Sequence, residues 1–126
     1  MVATLLFDVH RDWAWFVILG NAAAGLWALA AHRFERLRHR ALWIFTGVVE
    51  VAILVQVGLG VALLKAQHLP HRKFHEFYGY VAFVSVGLIY AYRAQLRDKI
   101  YLLYGFGGLF LMGCAIRAIQ VGGRNL

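Results

Sequence analysis

Cysteine, proline and acidic side chains are all scarce in this chain of 126 residues. The one cysteine, Cys114, lies inside an apolar run, so there is no internal disulfide, no Cys-x-x-Cys redox pair and no thiolate metal site. Charged residues of both signs make up only 15%, whereas 62% are apolar and the mean hydropathy is +0.65. Water-soluble domains carry about 45–50% apolar residues with about a quarter charged, and disordered chains are poorer still in apolar residues. Both classes are excluded, and the composition is that of an integral membrane protein. Nothing has the specificity of a phosphate-binding loop or a zinc ribbon. No nucleophile has a base beside it, since Ser85 has no histidine in its own helix, and the pattern argues for a non-enzymatic role.

Base is the one abundant charge: 13 Lys and Arg against six acids give a net charge of +7 and a pI near 10.1. In a soluble protein that would suggest nucleic acid. Here the bases cluster at 32–40, 65–73 and 93–99, beside apolar runs, where they can snorkel to phosphates at membrane ends. The expected partner is the lipid bilayer, with no nucleic acid.

Four apolar stretches, about 13–31, 41–64, 75–93 and 99–119, each approach the ~20 residues a helix needs to cross hydrocarbon. The runs are continuous rather than alternating, which excludes strands. With connections of about ten residues or fewer, consecutive helices should be antiparallel neighbours. The expectation is an all-α, integral membrane, up-down-up-down four-helix bundle forming a single transmembrane domain over 1–126. Asp8, Arg11 and Asp12 do not match the positive start of a secretory signal, and the apolar run resumes after Asn21-Ala22-Ala23-Ala24, so the first span reads as uncleaved. The first loop is densest in Arg, and this places it in the cytoplasm with both termini outside. The location expected is the bacterial inner membrane.

Helices in lipid associate through small residues. Gly20, Ala24 and Ala28 form an i, i+4, i+8 ladder in the first span; Gly87 and Gly108 offer similar contacts in the third and fourth. These surfaces suit packing within the chain, a homodimer or a larger membrane complex.

Glu50 is the costliest residue, near the middle of the second span, where an acidic side chain costs on the order of 3 kcal/mol to insert. It needs a partner or a proton. At 1.5 Å per residue, Asn21 and Ser85 come to nearly its depth, and Thr46 shares its helix face. A polar layer is expected, with the carboxyl donating to Asn21 or Ser85. It reads equally as a proton or cation site and as a clasp between helices.

Three of the six histidines, His68, His71 and His75, fall within eight residues. With Pro70 in the first turn of the third helix, His71 and His75 stand at i, i+4, a spacing able to hold one metal ion. His68 or Glu76 could add a ligand, and His10 lies on the same side. Zinc wants three or four protein ligands, and Arg72 and Lys73 oppose a cation. At the mouth of a span His75 also suits haem b, but a second intramembrane histidine is missing. No cofactor is the main expectation, with haem or a divalent metal as the alternative.

The stretch His75-Glu76-Phe77-Tyr78-Gly79-Tyr80 through Tyr92-Arg93, followed by Leu103-Tyr104-Gly105-Phe106-Gly107-Gly108, resembles small uncharacterised four-helix membrane proteins of actinobacterial type. The resemblance covers the second half of the chain and implies an inner-membrane location without an activity. Gln56-Val57-Gly58-Leu59-Gly60 before a His-rich loop is loosely similar to haem-handling membrane families. Three readings stand: an accessory or assembly subunit of a larger membrane complex, a small proton- or cation-coupled transporter using Glu50, and a haem or metal electron carrier using His75 and His71.

Overall fold

The computed structural model describes residues 2–67 and 73–122. Among them there is no strand. Four helices account for almost everything: α1 (Val2–Arg33), α2 (Arg40–Gln67), α3 (Lys73–Tyr92) and α4 (Ile100–Gly122), with 3-10 turns at Glu35–Leu37 and Arg97–Lys99.

The helices run further than the apolar stretches. At 32 residues, α1 is about 48 Å long against hydrocarbon of about 30 Å, so it must overhang. Its first turns carry the surplus: Asp8, Arg11 and Asp12 form ion pairs of 3.4 and 3.3 Å. Three helices are long and apolar enough to cross a membrane, within Thr4–Arg33, Arg40–Lys65 and Arg97–Val121. The third expected span, 75–93, is not among them. Over its 20 residues α3 carries His75 and Glu76 in its first turn and Tyr78, Tyr80, Tyr90 and Tyr92 near its ends, which dilutes its apolar character.

Burial follows spacings of three and four on every helix, the pattern of knobs along one seam. On α1 the buried positions include Ala14, Val17, Ile18, Asn21, Ala24, Ala28 and Ala31; on α2 they include Leu42, Thr46, Val49, Ile53 and Leu63. Ala82, Val86 and Ile89 of α3 and Tyr104, Leu111 and Cys114 of α4 complete the core. The outer faces are apolar. Only 22% of the most apolar stretch of α2 and of α4 is buried inside the protein, against 50% for α1. The outer faces of these helices are thus largely uncovered apolar surface.

The most extensive contact joins α1 to α4, followed by α1 with α2 and α3 with α4; the contact between α2 and α3 is far smaller. Two glycines explain the first of these. A Cβ on Gly25 would lie 2.9 Å from the Gly105 carbonyl, and one on Gly108 would lie 2.9 Å from the Gly25 Cα, so here backbone meets backbone. Of the small residues expected at contacts, Gly20 packs against Val49, Ala24 and Ala28 are buried, and Gly108 meets Gly25. Gly87 is different. A Cβ there would meet nothing within 4 Å, because the packed face of α3 runs through Val86 and leaves its neighbour outside.

The first loop is held by Arg38. Its Nε donates to the Ala31 carbonyl at 2.8 Å and its Nη2 to the His32 carbonyl at 2.9 Å, satisfying orphan acceptors at the C-terminus of α1, where a cation also suits the helix dipole. The same guanidinium lies 5.0 Å over the Tyr101 ring of α4. Trp27 adds a bond from its indole N–H to the Leu37 carbonyl, 3.0 Å, and Trp13 reaches across to the Ala52 carbonyl of α2 at 2.9 Å.

Candidate functional site

Two groups of polar side chains sit on this frame, one at mid-height and one at an end. At mid-height, Asn21 is 1% exposed, and its Nδ2 donates to the Val17 carbonyl at 2.9 Å. Ser85 donates to the Val81 carbonyl at 2.6 Å. Each therefore bonds the carbonyl four residues back in its own helix, the usual outlet for a short polar side chain in a helix. Thr46 is buried, with an Oγ1 that has no partner among the described residues.

Glu50 is half-buried, one residue round from the seam position Val49. Among the described residues, no hydrogen bond or ion pair reaches its carboxylate, which lies within electrostatic reach of Tyr104. The expected bond from Glu50 to Asn21 or Ser85 is thus absent. The side chains share a level but turn inward to their own backbones, and α2 and α3 barely touch where Glu50 and Ser85 would have to meet. Ser85 instead borders a shallow apolar groove between α3 and α4, beside Leu88, Leu103, Phe106 and Phe110.

At the other site all four helices contribute. The rings of His10 of α1 and His75 of α3 lie side by side, with centres 6.0 Å apart and planes at 77°. His75 Nδ1 lies 2.8 Å from the Ala118 carbonyl of α4, so that N–H donates to it. From α2, Gln56 Nε2 donates to the His10 carbonyl at 2.7 Å. Gly60, one turn on, lies under the His10 imidazole, where a Cβ would come 3.3 Å from Cε1. Two atoms are left over: among the described residues, His10 Nδ1 and Gln56 Oε1 are buried without a partner.

Among the described residues His75 is joined by His10. His68 and His71 lie outside the described residues, as does Pro70. A cue for His10 does exist in the sequence. Continuing the α1 seam back from Ala14 by four lands on His10, and the α2 seam continues from Ile53 by three and four to Gln56 and Gly60. His75 stands seven before Ala82. The apolar seams of three helices thus turn polar at one end. Gly25, the tightest point of the α1–α4 contact, lies outside the Gly20, Ala24, Ala28 ladder. Among the described residues no set of three or more His, Cys, Asp or Glu is arranged to hold a metal ion. No family of known proteins, no curated protein and no solved structure matches the chain.

Proposed function

We propose that the chain is an integral protein of the bacterial inner membrane whose four helices cross up, down, up and down, and that it serves as a small subunit within a larger membrane complex. The observation that carries this reading is Glu50. An acidic side chain in hydrocarbon costs on the order of 3 kcal/mol and is normally paired, yet none of the described residues bonds it, and it lies off the packed seam of α2. A proton would neutralise the carboxyl, and a polar group from outside the bundle would bond it. A helix of another subunit carrying Lys, Arg or an amide at that depth would supply that group, entering along the edge where α2 and α3 have little contact. The Arg-rich first loop supports a cytoplasmic side for that loop and an outer side for both termini.

The test is the size of the particle extracted from native membranes with a mild detergent, followed on a native gel for the wild type, Glu50→Gln and Glu50→Ala. A defined complex that survives in the Gln variant and dissociates in the Ala variant is the expected result. A chain that migrates alone at native expression, or a complex indifferent to Glu50→Ala, would refute the subunit role. Proton or cation flux in proteoliposomes of the purified chain, abolished in Glu50→Gln, would instead favour transport.

A further inference from the structure

Polar groups on a packed seam carry a cost that something must offset. A buried acceptor without a donor costs about 1–3 kcal/mol, and the end of the bundle built by His10, Gln56, His75 and Ala118 holds two of them within one cluster. Both leftover atoms are electron-pair donors, suited to a cation or a metal centre. The Ala118 carbonyl holds the Nδ1–H of His75, which leaves Nε2 as the basic nitrogen of a neutral ring. That is the outer support which fixes the tautomer and orientation of metal-binding histidines.

The spacing agrees. A metal shared by two imidazoles lies about 3.2 Å from each ring centre, so the ring centres stand roughly 5.2–6.4 Å apart as the angle at the metal opens from tetrahedral to linear. The rings here are 6.0 Å apart, and they come from helices that otherwise have little reason to bring polar groups together. Among the described residues no third His, Cys, Asp or Glu joins the pair.

We propose that His10 and His75 form a two-imidazole site for a transition-metal centre, with Gln56 as the adjoining oxygen donor. This goes beyond the subunit reading and does not depend on it. The chemistry could come from two sources. Haem iron needs only two protein nitrogens, because the porphyrin supplies the other four. A free ion that favours imidazole, Cu(II) foremost in the usual order of affinities, could be completed by the Gln56 Oε1 and water. Lys73 and Arg117, on the adjoining turns, oppose a bare cation and suit haem propionates.

The chain, purified in dodecyl maltoside, is titrated separately with haemin and with Cu(II). The expected result is one equivalent of one probe per chain, with electron paramagnetic resonance of the wild type showing two coordinated imidazole nitrogens: a low-spin ferric signal for haem, or two coupled nitrogens for copper. His10→Gln and His75→Gln should each weaken that binding at least tenfold. Protection of the buried Cys114 thiol from a maleimide verifies that the variants are folded. No stoichiometric binding of either probe would overturn the site. So would a spectrum showing a single nitrogen, or affinity unchanged in folded His10→Gln.

Discussion

Adding one methyl group at four glycines should stabilise the protein at two of them and destabilise it at the other two. Gly87 and Gly79 have nothing within 4 Å of an added Cβ. In a helix interior, alanine there gains roughly 1 kcal/mol over glycine. Gly25 and Gly108 gain the same propensity, but each new Cβ would stand 2.9 Å from backbone atoms of the opposite helix, the Gly105 carbonyl or the Gly25 Cα. Backbone cannot rotate away as a side chain can. The α1–α4 contact would have to open by most of an ångström, and overpacking of this kind costs about 1–3 kcal/mol or somewhat more. The two pairs of variants should separate by that amount, with opposite signs relative to the wild type. Cys114 supplies the assay, being the only cysteine in the chain and buried. A thiol-reactive fluorophore in detergent reports its exposure as the protein is heated. Midpoints for Gly25→Ala and Gly108→Ala that equal or exceed those of Gly79→Ala and Gly87→Ala would refute the close backbone contact between α1 and α4.

Two further expectations use the same thermal readout. Leu42 and Leu111 are 0% exposed, so Leu→Ala at either should cost about 2–5 kcal/mol, whereas Leu26→Ala, at a position 58% exposed on the outer face, should cost far less; similar losses at all three would contradict the packing. Arg38→Lys should destabilise by about 1 kcal/mol or more, because a single ammonium cannot span the Ala31 and His32 carbonyls while lying over Tyr101. Arg38→Gln should be no milder, and wild-type stability in both would remove the clip.

Which parts of this molecule could be read from its sequence follows from how far each interaction reaches. Helices were legible because an apolar run of about twenty residues declares itself locally. Their ends were not, since α1 tolerates Asp8, Arg11 and Asp12 within its first three turns and so begins at Val2 rather than near Trp13. Depth arithmetic brought Asn21, Glu50 and Ser85 to one level. It carried no information about rotamers, and the carbonyl four residues back captured Asn21 and Ser85 before any neighbouring helix could. His10 was missed for a related reason. Once the first span was begun at Trp13, His10 belonged to no helix and could not be matched with His75. Extending the spacing of the buried positions by one step would have placed it on the seam. Gly25 was hidden among alanines, where one small residue looks like another until the facing Gly105 and Gly108 are known.

The tightest helix pair in the bundle unites segments more than eighty residues apart, Gly25 with Gly108. In a chain made from one end, α1 and α2 can pair as a hairpin at once, but the glycine face of α1 has no cover until α4 has been synthesised. At 5–20 residues per second that wait lasts roughly 4–17 s. For that interval Asn21 and its neighbouring backbone face lipid, the insertion machinery or another chain. The most extensive helix contact of the finished bundle thus waits for its fourth helix, so a ribosome stalled before α4 releases a product with that surface open.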